Sequence, residues 1–436
     1  MIVLLWMNTE KIKLLLVEAE RIFGKDIVTT QDAVEFADSI FNSTSELISY
    51  NTVRRMYNVV SSKSVIPSKS TLNIIANYCG FVSFSDFSSN FNIQNSQIEF
   101  YNECYLQFYK NQKVDFGLVN KLCSQKQDFY TFDFLKKTIH IAFTYEDLDF
   151  LTNIFELDSV FKNKSYLYFH QNYLIQDIGG LLRKFSNLQN HLWSHWSHQK
   201  NARLLYFELF VDMDHLINHH FLAIEKYNKY STSQQNLAFA HSLLFFRDFL
   251  TNNNSVIREH YQFLCSLDIK GMHPILRARV LISKLLFSKP TKELIQEIEY
   301  WCAFEIENKK TEPPFFHIWI MEGLTMVKQF EIVMQISKSI QADSNFVDNR
   351  INRGLIQRAN TYIAFALIKT GQIIAGKKLF SEIYPSEYNL FSYEYDNLFY
   401  SALEYFVAND HQIKFKGEQK AKELGYQKLF QMLIDE

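Results

Sequence analysis

The stretch SYNTVRRMYN, residues 49–58, carries two complementary stripes at helical spacing. The apolar stripe repeats at i, i+3, i+4 and i+7 and consists of Val53, Met56, Tyr57 and Val60. The polar stripe repeats at the same spacing and consists of Asn51, Arg54, Arg55 and Asn58. A helix that buries the apolar stripe must present the polar stripe to solvent. The pattern therefore predicts a helix over residues 50–60, with Ser49 as its N-cap.

Two helices are predicted before this stretch. The first covers residues 8–23 and ends near Gly24, which suits a C-terminal cap. The second begins at Thr29 or Thr30, with Asp32 in the first turn, where the helix dipole favours a carboxylate. The predicted buried faces are Ile12, Leu15, Leu16 and Ile22 in the first helix, and Ala33, Phe36, Ala37 and Ile40 in the second.

Two further helices are predicted after it. The stretch PSKSTLNIIANYCGF, residues 67–81, begins a helix at Pro67 or Ser68 and ends it at Gly80. Its predicted buried face consists of Leu72, Ile75, Ala76 and Cys79. A last short helix is anchored by Phe81, Phe84 and Phe87. Residues 1–90 are therefore predicted to form a small helical bundle.

The two quoted stretches resemble the lambda-repressor-like helix-turn-helix family. The resemblance is closest to a module found at the N-terminus of many bacterial proteins with variable C-terminal parts. It implies that the helix of residues 50–60 is the recognition helix, which enters the major groove of DNA. The polar stripe would then face the bases.

The distribution of charge supports a DNA-binding face in this module. No Asp or Glu occurs between Leu47 and Ser85, whereas four basic residues do. Arginine and asparagine carry the flat donor groups that read guanine and adenine edges. The predicted DNA-binding residues are Asn51, Arg54, Arg55, Asn58, Lys63 and Lys69. Two alternatives remain open: the same fold docks on a protein, or the polar stripe is simply a solvated helix face.

Composition favours helices throughout the chain. The 436 residues include only 12 glycines and 6 prolines, too few for the tight hairpins of a β-rich fold. The formal net charge of −2 excludes a globally basic nucleic-acid-binding protein, so any DNA contact is local. The predicted class is all-α.

A polar stretch rich in Asn, Ser and Gln, residues 88–97, predicts a linker at residues 91–97 before a second region, residues 98–436. Amphipathic helices begin in that region near Ser255, Glu293, Phe330 and Ile373, a spacing typical of helical-pair repeats. These helices predict an α-solenoid of helical hairpins.

One unit, NTYIAFALIKTGQIIAGKKLFSEIYP (residues 360–385), is similar to a tetratricopeptide repeat. In that family small residues let two helices approach each other, and an aromatic residue fills the groove between pairs. Here Gly371 would form the turn, with Gly376 and Phe380 on the second helix. Such an array offers a concave surface for a peptide or protein, or for dimerisation.

Motifs for catalysis or cofactor binding are not found in the sequence. It has no glycine-rich phosphate loop, GxSxG or HExxH motif, so we predict neither an enzyme nor a bound cofactor.

The five cysteines never form a CxxC pair, which argues against a thiolate zinc site and fits a reducing cytoplasm. The apolar residues 1–7 are too short for a signal peptide or membrane span, and Met7 is an alternative translation start.

One dense group of histidines lies between His191 and His220. On a helix, Asp212, His215 and His219 would share one face, a spacing able to bring two imidazoles and a carboxylate to a metal ion. The favoured alternative is that these histidines pack among aromatic side chains, and no metal site is predicted.

These observations predict a cytoplasmic DNA-binding transcriptional regulator whose helical repeats bind a peptide or protein or mediate dimerisation. The chief alternative is a non-enzymatic interaction scaffold whose N-terminal module docks on protein. A metal-dependent hydrolase built on the histidine group is a third class.

Overall fold

The computed structural model of the chain describes residues 2–57, 59, 67–125, 129–161, 168–208, 211–288, 290–308, 314–341, 350–389 and 391–435. Within these ranges every regular element is a helix and no strand occurs, which confirms the all-α prediction. The chain divides into two compact units, residues 1–111 and residues 112–436. None of the described helices combines the length and the apolar character that crossing a membrane requires.

The first unit contains five helices: α1 (Ile2–Phe23), α2 (Thr30–Thr44), α3 (Tyr50–Met56), α4 (Lys69–Tyr78) and α5 (Phe84–Asn111). The second unit begins with α6 (Phe116–Gln125), α7 (Phe129–Thr144), α8 (Leu148–Asn153), α9 (Asp158–Phe161), α10 (Tyr168–Lys184), α11 (Ser186–Trp196), α12 (Lys200–Ala202) and α13 (Phe221–Lys229). It continues with α14 (Gln234–Leu250), α15 (Asn254–Cys265), α16 (Pro274–Ser288), α17 (Lys292–Asn308), α18 (Phe315–Met326) and α19 (Phe330–Gln341). The last helices are α20 (Arg350–Lys369), α21 (Ile373–Phe380), α22 (Tyr393–Ala408), α23 (His411–Leu424) and α24 (Gln427–Ile434).

The core of the first unit is formed by the apolar faces of its five helices. Phe36 is fully buried, and three aromatic rings meet it edge-on: Phe23, Tyr57 and Tyr78. The predicted faces of α2 and α4 are confirmed, except that Cys79 is only half-buried. On α1 the prediction for Ile22 is wrong, because its side chain is exposed and Ala19 takes the buried position one turn earlier.

Short polar side chains begin α2, α3 and α4 where the sequence predicts, whereas α1 begins at Ile2 and not at residue 8. Thr29 and Asp32 form a reciprocal capping box at the start of α2. Ser49 caps α3, and Ser68 caps α4 by accepting a hydrogen bond from the amide of Thr71.

Helix α3 is shorter than the predicted span of residues 50–60. It ends at Met56, and the amide of Val59 donates to the carbonyl of Arg54 at 2.9 Å, a bond typical of helix C-termini. The Tyr57 hydroxyl donates to the Leu16 carbonyl of α1 at 2.9 Å. This tertiary contact holds Tyr57 where the helix ends, which the local apolar period does not reveal. Val60 lies outside the described residues.

The predicted linker at residues 91–97 and the predicted short last helix are replaced by the single helix α5, which extends to Asn111. Residues 88–97 contain neither glycine nor proline, so nothing in the polar stretch interrupts the helical backbone. The contacts of the chain divide after Asn111.

From α14 onwards the second unit is built from helix pairs. The pairs are α14 with α15, α16 with α17, α18 with α19, α20 with α21 and α22 with α23. The first helices of successive pairs also pack on each other. The second helices α15, α17, α19 and α21 begin within one residue of the predicted positions, so those starts are confirmed.

The pair α20 and α21 shows why its glycines are needed. Gly371 forms the turn with a φ of +84°, a left-handed conformation that other residues adopt at a cost. A Cβ atom on Gly376 would lie 2.6 Å from a side-chain carbon of Ile368, so only glycine permits this approach. Phe380 stacks on Tyr400 of the next pair, with ring centroids 5.1 Å apart.

Candidate functional site

The structure places four of the six predicted DNA-binding residues in two adjacent helices of the first unit. We call Asn51, Arg54, Arg55 and Lys69 the basic strip. Asn58 and Lys63 lie outside the described residues. Asn51, Arg55 and Lys69 are exposed, and Arg54 is half-buried.

Hydrogen bonds within α3 position the arginines of the basic strip. Arg54 Nη1 donates to the side-chain oxygen of Asn51 at 3.2 Å, and Arg55 Nε donates to the Asn51 carbonyl at 3.1 Å. The terminal nitrogens of Arg55 make no hydrogen bond to any described residue. Lys69 is the first residue of α4.

In the second unit, the structure brings together Asp212, His215 and His219. One possible ligand atom from each side chain lies within 4.8 Å of the others. The predicted α-helix is replaced by a 3₁₀ turn, Met213–His215, followed by a π-helical segment, Leu216–His220. The three side chains therefore come together on 3₁₀ and π-helical turns, whereas the sequence predicts that they share one face of an α-helix.

Existing partners already occupy the carboxylate of Asp212. Arg183 donates to both of its oxygens, at 2.8 Å and 2.6 Å, and His215 Nδ1 lies 3.1 Å from one of them. Burial alone raises the pKa of this carboxyl, but the hydrogen bonds from His215 and Arg183 outweigh it and hold the pKa well below its usual range. A metal ion would have to displace or tolerate the guanidinium, so the geometry favours an ion pair over a metal centre.

The neighbouring residues tie this segment to the C-terminal helices. The Asp214 amide donates to the Phe391 carbonyl at 3.2 Å, and the Tyr395 amide donates to the Asp214 carboxylate at 2.9 Å. The Tyr426 hydroxyl donates to the Met213 carbonyl at 2.5 Å. Burial raises the pKa of Asp214 to about 6. These bonds give the acidic residues of the segment a structural role.

The second unit also encloses a cavity of about 470 Å³. One wall comes from the first helices of four successive pairs, α14, α16, α18 and α20. Two other segments contribute further lining residues: Leu204, Glu208, Val211 and Met213 from the first, and Asn389, Phe391, Ser392 and Asp396 from the second. Its volume lies in the range of small-ligand pockets, roughly 300–1,000 Å³. Apolar side chains dominate the walls, among them Phe239, Leu243, Phe246, Ile282, Trp319 and Phe391.

A buried ion-pair network forms one end of this cavity. Arg358 pairs with Glu322 and, at 3.2 Å, with Asp396, and its Nε donates to the Tyr362 hydroxyl at 2.8 Å. Ser392 donates to Asp396 at 2.7 Å. Burial raises the pKa of the Asp396 carboxyl to about 7. Burial by itself lowers the pKa of Arg358, but the carboxylates of Asp396 and Glu322 raise this pKa above its usual value.

A second arginine of the cavity wall, Arg279, has a different environment. Its guanidinium makes no hydrogen bond or ion pair with any described residue, and its carbon atom lies 5.6 Å from the centre of the Phe239 ring. Burial lowers the pKa of Arg279 to about 10. Two residues earlier on the same helix, Arg277 is fully engaged by Glu305 and three backbone carbonyls.

Sequence reasoning missed this cavity. Leu243, Arg279, Trp319 and Leu355 lie on the first helices of four successive pairs, and all of them line the cavity. They lie 11, 13, 11 and 18 residues before the starts of α15, α17, α19 and α21, so aligning the repeats on those starts would not have placed them in one column. No protein-family model, no curated protein and no solved structure matches the chain.

Proposed function

We propose that this protein is a cytoplasmic DNA-binding transcriptional regulator without enzymatic activity. In this proposal the first unit is a helix-turn-helix-like module, and its basic strip contacts DNA. The second unit is a solenoid of tetratricopeptide-like hairpins that binds a peptide or protein or mediates dimerisation. The observation that carries the proposal is the exposure of Asn51, Arg55 and Lys69 in a segment free of acidic residues.

The chemistry of the basic strip supports this assignment. The free end of the Arg55 guanidinium can donate two parallel hydrogen bonds to a guanine, and the exposed Asn51 amide can pair with an adenine. Lys69 can contact a phosphate, which adds affinity without sequence preference. The strip therefore offers both base-reading and phosphate-binding groups.

Selection of bound DNA from a random pool by the full chain tests this function. We expect enrichment of a short common sequence that is lost as salt rises, because phosphate contacts release counterions. Failure to enrich any sequence at low salt would refute sequence-specific DNA binding.

A second candidate function, a protein-interaction scaffold, is supported by apolar side chains beside the basic strip. Leu47 is 79% exposed and Tyr50 is 43% exposed, immediately before Asn51. Exposed apolar groups at the edge of a polar surface are typical of protein contacts. If the DNA selection fails and Leu47→Ser weakens binding of an identified protein partner, the scaffold replaces the regulator.

The metal-dependent hydrolase has the least support, because Arg183 already neutralises Asp212. Elemental analysis of the purified chain tests it directly. Zinc, iron or manganese in one-to-one ratio, lost on His219→Ala, would revive that hypothesis.

A further inference from the structure

The environment of Arg279 differs from that of Arg358, which also lines the cavity, and from that of Arg277, two residues earlier on α16. Arg277 and Arg358 are ion-paired to carboxylates and hydrogen-bonded to further groups. Arg279 borders the cavity with its donors unused by any described residue. Arg279 is half-buried, so its guanidinium has lost part of its water without gaining a described partner, and an acceptor supplied by a ligand would replace the lost hydrogen bonds.

The nearest charged group does not fill this role. Glu322 acts on the charge of Arg279 through space, but it is already engaged by Arg358 and by the Tyr395 hydroxyl. No nitrogen of Arg279 lies within 4.0 Å of a described carboxylate oxygen, the limit for an ion pair. The planar N–H donors of the Arg279 guanidinium can therefore bind an anion inside the cavity.

The remaining walls define the rest of the ligand. Phe239, Leu243, Ile282, Trp319 and Leu355 line the same cavity as Arg279, and the Phe239 ring lies 5.6 Å from its guanidinium carbon. Elsewhere in the lining, the carboxylates of Glu208, Glu322 and Asp396 disfavour a highly charged phosphate. The five apolar side chains bury apolar surface and offer few donors. They suit an apolar chain or ring attached to a single carboxylate.

We propose that the cavity binds an apolar ligand with one carboxylate, and that Arg279 holds this carboxylate. The ligand is either a free organic acid or the C-terminal end of a short apolar peptide, since both present the same carboxylate on an apolar body. This proposal deepens the proposed function by naming the ligand chemistry of the helical array. Binding of the ligand does not depend on DNA binding. Only the idea that the ligand regulates transcription rests on the proposed function.

Isothermal titration calorimetry of the full chain without DNA tests the proposal. The probes are decanoate and 3-phenylpropionate, each compared with its methyl ester, and acetyl-Leu-Leu-Phe with a free or an amidated C-terminus. We expect one binding site per chain for at least one carboxylate and at least tenfold weaker binding of its neutral counterpart. The free acids and the peptide distinguish the two sources of the carboxylate.

Variants of Arg279 show whether that side chain holds the carboxylate. Arg279→Met should weaken binding of the carboxylate at least tenfold and leave the neutral probe unchanged, whereas Arg279→Lys should retain part of the preference. Arg258→Met is the matched control, because Arg258 is an exposed arginine on the neighbouring helix α15. It should bind both probes like the unmodified chain.

Two results would overturn the proposal. One is that no carboxylate in the panel binds, or that each binds no better than its neutral counterpart. The other is that Arg279→Met binds the carboxylate as tightly as the control does. Without ligand, Arg279→Met should melt at or above the temperature of the unmodified chain, since it removes a half-buried charge that no described residue pairs with. A melting temperature lowered as far as that of Arg358→Met would instead make Arg279 a structural partner of Glu322. Because no DNA is used, these outcomes are separate from failure of the DNA selection.

Discussion

The basic strip and the cavity both depend on arginine, but their arginines differ in exposure to water. Arg55 is exposed and bonded only within its own helix, so its charge is solvated before any ligand arrives. Arg358 is buried and holds two carboxylates on neighbouring helices. The comparison teaches that an exposed arginine such as Arg55 can be removed with little effect on stability, whereas Arg358, which is buried between two carboxylates, determines stability.

The largest expected effect comes from breaking the cavity network with Arg358→Met. The substitution leaves Glu322 and Asp396 buried without their cation, which costs about 3–5 kcal/mol of folding free energy. Unfolding in urea, followed by circular dichroism, measures the change. The control Arg258→Met removes an exposed arginine and should change stability by less than about 0.5 kcal/mol. Equal losses for both variants would contradict the distinction between buried and exposed arginines.

A smaller effect is expected from pH at the buried His220 of the second unit. Burial lowers the pKa of His220 to about 4. The charge of Asp212 raises this pKa, whereas His219, Arg183 and His215 lower it further. Because the unfolded chain then binds more protons than the folded chain below pH 6.5, stability falls as pH drops from 6.5 towards 4.

The variant His220→Leu isolates this contribution. Between pH 7.5 and pH 5 the unmodified chain should lose about 2 kcal/mol more stability than the variant, since one pKa unit corresponds to about 1.4 kcal/mol. Urea unfolding at the two pH values measures the difference. Parallel losses in both proteins would show that His220 is protonated in the folded state.

The smallest expected stability effect concerns the capping box of α2 in the first unit. Thr29→Ala removes the acceptor for the amide of Asp32, which costs about 1 kcal/mol. Faster hydrogen exchange of the α2 amides measures this loss. Thr30→Ala, at the first residue of the helix, is the matched control and should leave exchange unchanged, because Thr30 is not the capping residue. Unchanged exchange in both variants would show that packing, rather than capping, fixes this helix start.

The parts of the fold that were predictable from the sequence depend on neighbouring residues. Thr29, Ser49 and Ser68 mark helix starts because a cap bonds an amide two or three positions later. The end of α3 was not predictable, because the hydroxyl of Tyr57 bonds to Leu16 on another helix. The polar residues 91–97 indicated a linker, although without glycine or proline the helix continues through them.

The basic strip and the cavity differ in the same way, because the first depends on neighbouring residues and the second on distant ones. The basic strip could be predicted because its members on α3 repeat at helical spacing within one short segment. Asp212, His215 and His219 were also recognisable, although the chain brings them together through 3₁₀ and π-helical segments. The cavity could not be predicted from local periods, since its lining extends from Gln176 to Asp396 and depends on how successive helices stack.

The most direct test of the proposed function is the affinity of the full chain for its selected DNA when the arginines of the basic strip are removed. Arg54→Ala combined with Arg55→Ala should weaken binding about 100-fold and lower the slope of log K against log salt by up to about two. The control, Lys377→Ala with Lys378→Ala, removes two exposed adjacent cations from α21 and should bind within about threefold of the unmodified chain. If the arginine variant binds DNA as tightly as this control, the basic strip is not the DNA-binding surface.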